Sequence, residues 1–294
     1  MPTWDEILHE IGSSANVLDL TRRKYVKELS DYTKRNTIIY YSAFLQKPQL
    51  SRKGVDFSIN DNDKMGFMTV VNKLDKQKGL DLILHTPGGS VSATESIVSY
   101  LKMIFGDDIR AIVPQMAMSA GTMIACSCKS IVMGKQSSLG PIDPQFGGLA
   151  AHAIKEEFET ILKEVKADPS RIIVWREVLQ KYNPTLIGEC EKAIKWSKEM
   201  VKGWLEHNMF REDPSKAESI VNFLSDHKNT YTHDRHLDFN TLGQLGLKIE
   251  KLEEDQELQD KVLSVHHSTI ISMSQTQATK IIENNMGKAY IQSV

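Results

Sequence analysis

The chain has 294 residues, 40% hydrophobic and 25% charged, enough to bury a substantial core in one large domain or in a domain with an appended segment. Lys and Arg total 36 against 38 for Asp and Glu, a formal net charge of −2 with neither sign in a long block. No basic field awaits a phosphate backbone, so nucleic-acid binding is not expected.

The start, MPTWDEILHEIG, is acidic and amphipathic and lacks the positive and apolar regions of a signal peptide. No stretch reaches the ~18 apolar residues of a membrane span, which together predict a cytoplasmic protein. Cys126, Cys128 and Cys190 form no CxxC pair and no even framework, so they read as reduced and structural. The nine histidines show no HExxH or similar spacing, and neither a metal nor a cofactor is expected.

An amphipathic helix is predicted over 3–11, and residues 19–34 carry mixed charges at helical spacing before the strand-like "NTIIYYSAFL". A polar loop holding Pro48, Gly54 and "SINDND" follows, its residues 60–63 suited to a turn and an N-cap, then an amphipathic helix over 65–74. "LDLILHTPGG" reads as a strand ended by Pro87 and two glycines, and "SVSATESIVSYLKMIFG" as a helix with apolar residues at i, i+3, i+4 and i+7. The same order returns with "IRAIVP" as a buried strand, a helix over 119–127, "SIVMG" as a third strand and the turn-rich "KQSSLGPIDPQFGG". Repeated strand-then-helix units predict an α/β core of parallel strands. From residue 152 to about 223 the sequence is charged and helix-periodic, broken at Asp168-Pro169 and Asn183-Pro184, and Trp175, Trp196 and Trp204 read as core or oligomer contacts. "FNTLGQLGLKIEKL" then predicts a helix and a strand. Three segments are expected: 1–34 helical, 35–150 the catalytic core, and 151–294 a helical part with a C-terminal strand and helix portion completing the domain.

The stretch 115–123, QMAMSAGTM, sets Ser119 among small residues about thirty positions after "HTPGGS" at 85–90. A hydroxyl between an apolar strand and an Ala/Gly-rich helix start can meet a substrate carbonyl, and the Gly-Gly turn offers unobstructed backbone N–H groups. Serine needs a base to remove its proton and donors to hold the resulting oxyanion. Ser119 is therefore the candidate nucleophile, with an oxyanion hole from Gly88, Gly89 and Ala120. A plain N-cap role for Ser119 and a tight turn at Gly88-Gly89 are the competing structural readings.

"LILHTPGGSVSATESI", "MAMSAGTMIA" and "IVMGKQSSLGPIDPQ" resemble the serine dehydrogenase proteinase family, related to the Clp peptidase and signal peptide peptidase A groups. The resemblance covers roughly 35–150 and implies a ClpP/crotonase-like spiral of β-β-α units with parallel strands, followed by a mostly helical segment. It also implies Ser, Asp and His in that chain order. Asp143 stands in "GPIDPQ" where Clp peptidases carry a histidine, and fits the middle place; it can orient an imidazolium but is itself a poor base for a hydroxyl. His233 in "YTHDRH" fits the third place, with His236, His227 and His152 as alternatives. A serine-lysine dyad would draw on Lys135 or Lys155.

The expected activity is hydrolysis of extended or unfolded polypeptide by a homo-oligomer without an ATPase of its own. A crotonase-like acyl-thioester enzyme and an inactive scaffold are the rival expectations.

Overall fold

The computed structural model describes residues 18–294; the helix expected over 3–11 lies outside the described residues. A seven-stranded sheet runs through the molecule. Its first strand, β1 (Asn36–Ser42), is buried throughout and built from β-branched and aromatic residues that suit a pleated interior. Period two divides it: Ile38 and Tyr40 enter the core on one face, Ile39 and Tyr41 the core on the other. β2 (Leu80–His85) divides the same way, with Leu82 and Leu84 opposite Ile83. Next come β3 (Ile109–Val113), β4 (Met116–Ala117), β5 (Ser130–Met133), β6 (Ser138–Leu139), the hairpin β7 (Gln145–Phe146) and β8 (Leu149–Ala150), β9 (Ile249–Lys251), β10 (Ala278–Asn284) and β11 (Ala289–Ser293).

The large sheet has the order β11-β10-β1-β2-β3-β5-β9. The run from β1 to β9 is parallel, as the strand-helix repetition predicts. The C-terminal hairpin β10-β11 adds two antiparallel strands beside β1. A short turn with Gly287 at φ +76° joins them, and such a connection can only reverse the chain. β4 and β6 form a second, two-stranded parallel pair, tied to the first sheet by a bridge between Thr86 and Ala117.

One sheet face is covered by α1 (Leu18–Thr33) and, after β9, by a long C-terminal helix over Gln256–Gln275, through Tyr25, Val26, Leu29, Val262 and Val265. The other face carries α2 (Asp61–Val71), α3 (Val91–Phe105) and α4 (Ala120–Cys126). α2 starts from Asn60, whose side chain accepts from the Asn62 amide while Asp63 accepts from the Asn60 amide, a capping box. The helical stretch comprises α5 (Ala151–Ala167), α6 (Ile172–Leu179), α7 (Leu186–His207) and α8 (Ser215–Ser225); two of the three breaks fall at Asp168-Pro169 and Asn183-Pro184, and the third ends at Asp213-Pro214. The C-terminal part of α7 enters the main core through Met200, Val201 and Leu205. Its N-terminal part joins α5 in a separate small cluster around Ala151, Ile154 and Cys190. No helix among the described residues is long and apolar enough to cross a membrane.

Candidate active site

A cleft of about 430 Å³ opens where β2 and β3 end, lined by Ser119, Asp143, His233, Gly88 and Gly89. Ligands of open α/β sheets bind at this carboxyl edge because the loops there leave the sheet and are free to diverge.

Ser119 has φ +50° and ψ −114°, a backbone conformation of the kind that costs about 1–3 kcal/mol for a residue with a side chain. Its surroundings impose it. Met118 N–H donates to Thr86 O at 3.0 Å, Gly121 N–H to Met118 O at 2.7 Å, and the Thr122 hydroxyl to Ala117 O at 2.8 Å while accepting from the Gly140 amide at 2.9 Å. Three glycines permit the close approach: a Cβ on Gly88 would lie 2.6 Å from Ser119 Cβ, one on Gly121 2.5 Å from Thr86 Cγ2, and one on Gly140 2.7 Å from Met118 Cε. The Ser119 side chain makes no capping bond to α4, so the N-cap reading does not describe it.

The two glycines of the turn are not equivalent. Gly88 N–H is directed at the Thr86 hydroxyl at 3.2 Å, and Gly88 O accepts from Ile59 N–H at 2.7 Å. Ser90 N–H donates to Ile59 O at 2.8 Å, so residues 88–90 are extended alongside Ile59. Amides alternate sides along an extended chain, which turns the Gly89 N–H away from Ile59. Gly89 at φ +153° also leaves room for Ile59, whose backbone N would lie 2.3 Å from an added Cβ. The Ala120 amide, in the first turn of α4, has no acceptor four residues back within the helix. The Gly89 and Ala120 amides thus have no partner among the described residues, whereas the Gly88 amide is directed at Thr86 and its missing side chain makes room for Ser119.

Asp143 is 1% exposed and lies in a segment fixed by Ile142 N–H to Leu224 O at 2.9 Å. Its Oδ1 lies 2.7 Å from His233 Nδ1, and its Oδ2 accepts from Gln145 Nε2 at 2.7 Å. A carboxylate oxygen accepts, so Nδ1 carries the hydrogen and the lone pair falls on Nε2. His233, 28% exposed, belongs to a segment pinned to β6 by reciprocal bonds between Leu139 and Leu237 at 3.0 and 2.8 Å.

The other candidates lie elsewhere. His227 stacks on His152 with ring centroids 5.7 Å apart and pairs with Glu156 at 3.2 Å. His236 Nδ1 lies 2.8 Å from the Ser138 hydroxyl. Lys155 pairs with Glu191 at 3.1 Å, and Lys135 is exposed. None of these five lines the cleft.

Sequence reasoning missed several cleft residues. The sequence places Gln145 only in a turn-rich stretch; Phe146 from the β7-β8 hairpin and Trp196 from α7, with Ala193 one turn before it, also line the cleft. Trp196, 41% exposed, is neither core nor surface decoration. Helical spacing sets Trp196 beside the buried stripe of Cys190, Ser197 and Val201 but says nothing of what it faces. Among the described residues, the lining carries no ionisable side chains besides Asp143 and His233.

Residues 14–262 match the family described as ClpP-like SDH-type serine proteinase. The chain belongs to that family. This SDH-type, ClpP-like chain is also similar to two curated proteins of Methanocaldococcus jannaschii. With the uncharacterized protein MJ0137 it is 30% identical over 237 residues, 79% of this chain and 74% of the relative. With the uncharacterized protein MJ1495 it is 31% identical over 192 residues, 65% of this chain and 58% of that protein. The family is of serine-peptidase kind, and the mainly parallel α/β sheet is that of a ClpP-like protein.

Proposed function

We propose that the protein is a serine endopeptidase that cleaves extended polypeptide through an acyl-enzyme at Ser119. His233 Nε2 takes the proton of Ser119 Oγ as that oxygen attacks the scissile carbonyl, and Asp143 keeps Nδ1 protonated and stabilises the imidazolium. The oxyanion is held by the Gly89 and Ala120 amides. The imidazolium then gives its proton to the leaving amine, and water, deprotonated by the same nitrogen, releases the acyl group.

One observation carries the proposal: a buried carboxylate 2.7 Å from His233 Nδ1, in the same cleft as Ser119, whose backbone has a positive φ, and as Gly89. Ile59 already occupies one edge of residues 88–90, so an extended substrate pairs on the opposite edge. Apart from the Asp143–His233 pair the lining among the described residues is uncharged, which favours neutral residues beside the cleaved bond. The proposal includes a cytoplasmic homo-oligomer acting without an ATPase of its own. Exposed Ile172, Ile173 and Val174 on α6 support assembly, which light scattering tests, a monomer at micromolar concentration contradicting it.

The test is hydrolysis of a fluorescein-labelled, permanently unfolded protein. Wild type should release fluorescent peptides and Ser119→Ala should not; equal release by both would overturn the proposal. Failure of wild type to cleave, with coenzyme A raising its melting temperature, would instead favour the acyl-thioester alternative.

A further inference from the structure

The β10 strand lies beyond the family-matched residues, yet it reaches the cleft through one side chain. Lys280 is fully buried, and its ammonium makes contacts to both oxygens of Asp63 at 3.0 Å and to the Ser58 carbonyl at 2.5 Å. Asp63, also fully buried, accepts from the Tyr40 hydroxyl at 2.8 Å and the Asn60 amide at 3.0 Å. Every donor and acceptor in this cluster is used. Burying a charge pair yields little net stability over a well-packed apolar pair, but it tolerates only one geometry. Its geometric output is the position of Ser58.

Ser58 lines the cleft, and the next residue, Ile59, is the one that holds Gly88 O and Ser90 N–H. The Ser42 hydroxyl donates to the Phe57 carbonyl at 2.6 Å, a second tie from the same side of the segment. Residues 57–59 are thus fastened from beneath and in turn fasten the glycine turn. We infer that Lys280 is a positioning residue: through the Ser58 carbonyl it sets the segment 57–59 that aims the Gly89 amide at the cleft. The C-terminal hairpin thereby becomes part of the active-site framework. The catalytic side of this inference rests on the peptidase proposal; the structural side does not.

Lys280→Met alone strands a buried carboxylate, so the informative variant joins it to Asp63→Asn, which leaves no charge in the cluster and keeps acceptors for Tyr40 and Asn60. Hydrogen exchange resolved by residue is the first readout. In the double variant the Ile59 and Ser90 amides should exchange at least tenfold faster while Ile112 in β3 is unchanged, and kcat on a peptide substrate should fall at least tenfold with KM altered less. Unchanged exchange at Ile59 and Ser90 would overturn the inference, even in an active enzyme. Wild type that cleaves nothing would overturn the peptidase proposal and leave the exchange result standing. The unmodified protein gives a second check that needs no variant: Ile59 and Ser90 should open together with the amides of β10. Exchange at the rate of an exposed loop would contradict the tie.

Discussion

Replacing Gly88 by alanine should disable the site more than its single methyl group suggests. The added Cβ would lie 2.6 Å from Ser119 Cβ, 2.7 Å from Met118 O and 3.1 Å from the Ala120 nitrogen, and two of these are backbone atoms that cannot swing aside. Position 88 also has φ +101°, where an L side chain is strained. Positive φ costs about 1–2 kcal/mol and forced overpacking about 1–3 kcal/mol. The sum is roughly 2–5 kcal/mol, and at about 2–4 °C per kcal/mol a drop in melting temperature of at least about 4 °C follows. The turn can relieve the clash only by moving Ser119 and the Ala120 amide. Loss of one oxyanion donor costs about 10²–10³ in rate, so fluorophosphonate labelling should slow by at least that factor. Gly54→Ala is the control: its φ is +85° but nothing lies within 4 Å of the new Cβ, so it should show the backbone cost alone and label normally. Wild-type labelling by Gly88→Ala would refute the close coupling of the two turns.

Gln145→Ala leaves the buried Asp143 Oδ2 without its side-chain donor, a loss of about 1–3 kcal/mol, and should slow labelling about tenfold with KM little changed. Trp196→Ala removes an apolar wall of the cleft and should raise KM about tenfold for peptides with an aromatic or aliphatic residue at the cleaved bond, in steady-state assays. His85 is fully buried with neither ring nitrogen partnered, and burial pushes its pKa from 6.5 down to about 3. The unfolded chain therefore takes up this proton first: stability is whole above pH 6.5 and is lost as pH falls from 6.5 toward 3, at up to about 1.4 kcal/mol per pH unit. Burial also lowers His266, which faces His85 with ring centroids 5.4 Å apart. Denaturant midpoints measured from pH 7 to 4 should fall less steeply in His85→Phe; an identical acid slope would show that the ring is not buried neutral.

What was legible in the sequence was local. Ser119 and Ala120 stand out because a strand, a tight turn and a small-residue helix start follow one another within ten residues, and the parallel core follows from the repetition of that unit. Asp143 and His233 came from resemblance; 90 residues separate them, and no periodicity announces a bond across that distance. Which amide of the Gly88-Gly89 turn is left without a partner could not be read, because Ile59, some thirty residues earlier, decides it by pairing with one edge of the turn. The Lys280 contact with Asp63 spans 217 residues. A lysine in a strand marks an edge or a buried partner, and only the fold says which. The antiparallel C-terminal hairpin escaped for the same reason: strand propensity names the strand and not its neighbour.

The most direct measurement is the site and rate of covalent capture by a fluorophosphonate, followed by peptide mass spectrometry. One adduct on Ser119 should form, and its rate should fall by about 10²–10⁴ in His233→Ala. An adduct on another residue, or capture of Ser119 at full rate without the imidazole, would contradict the mechanism.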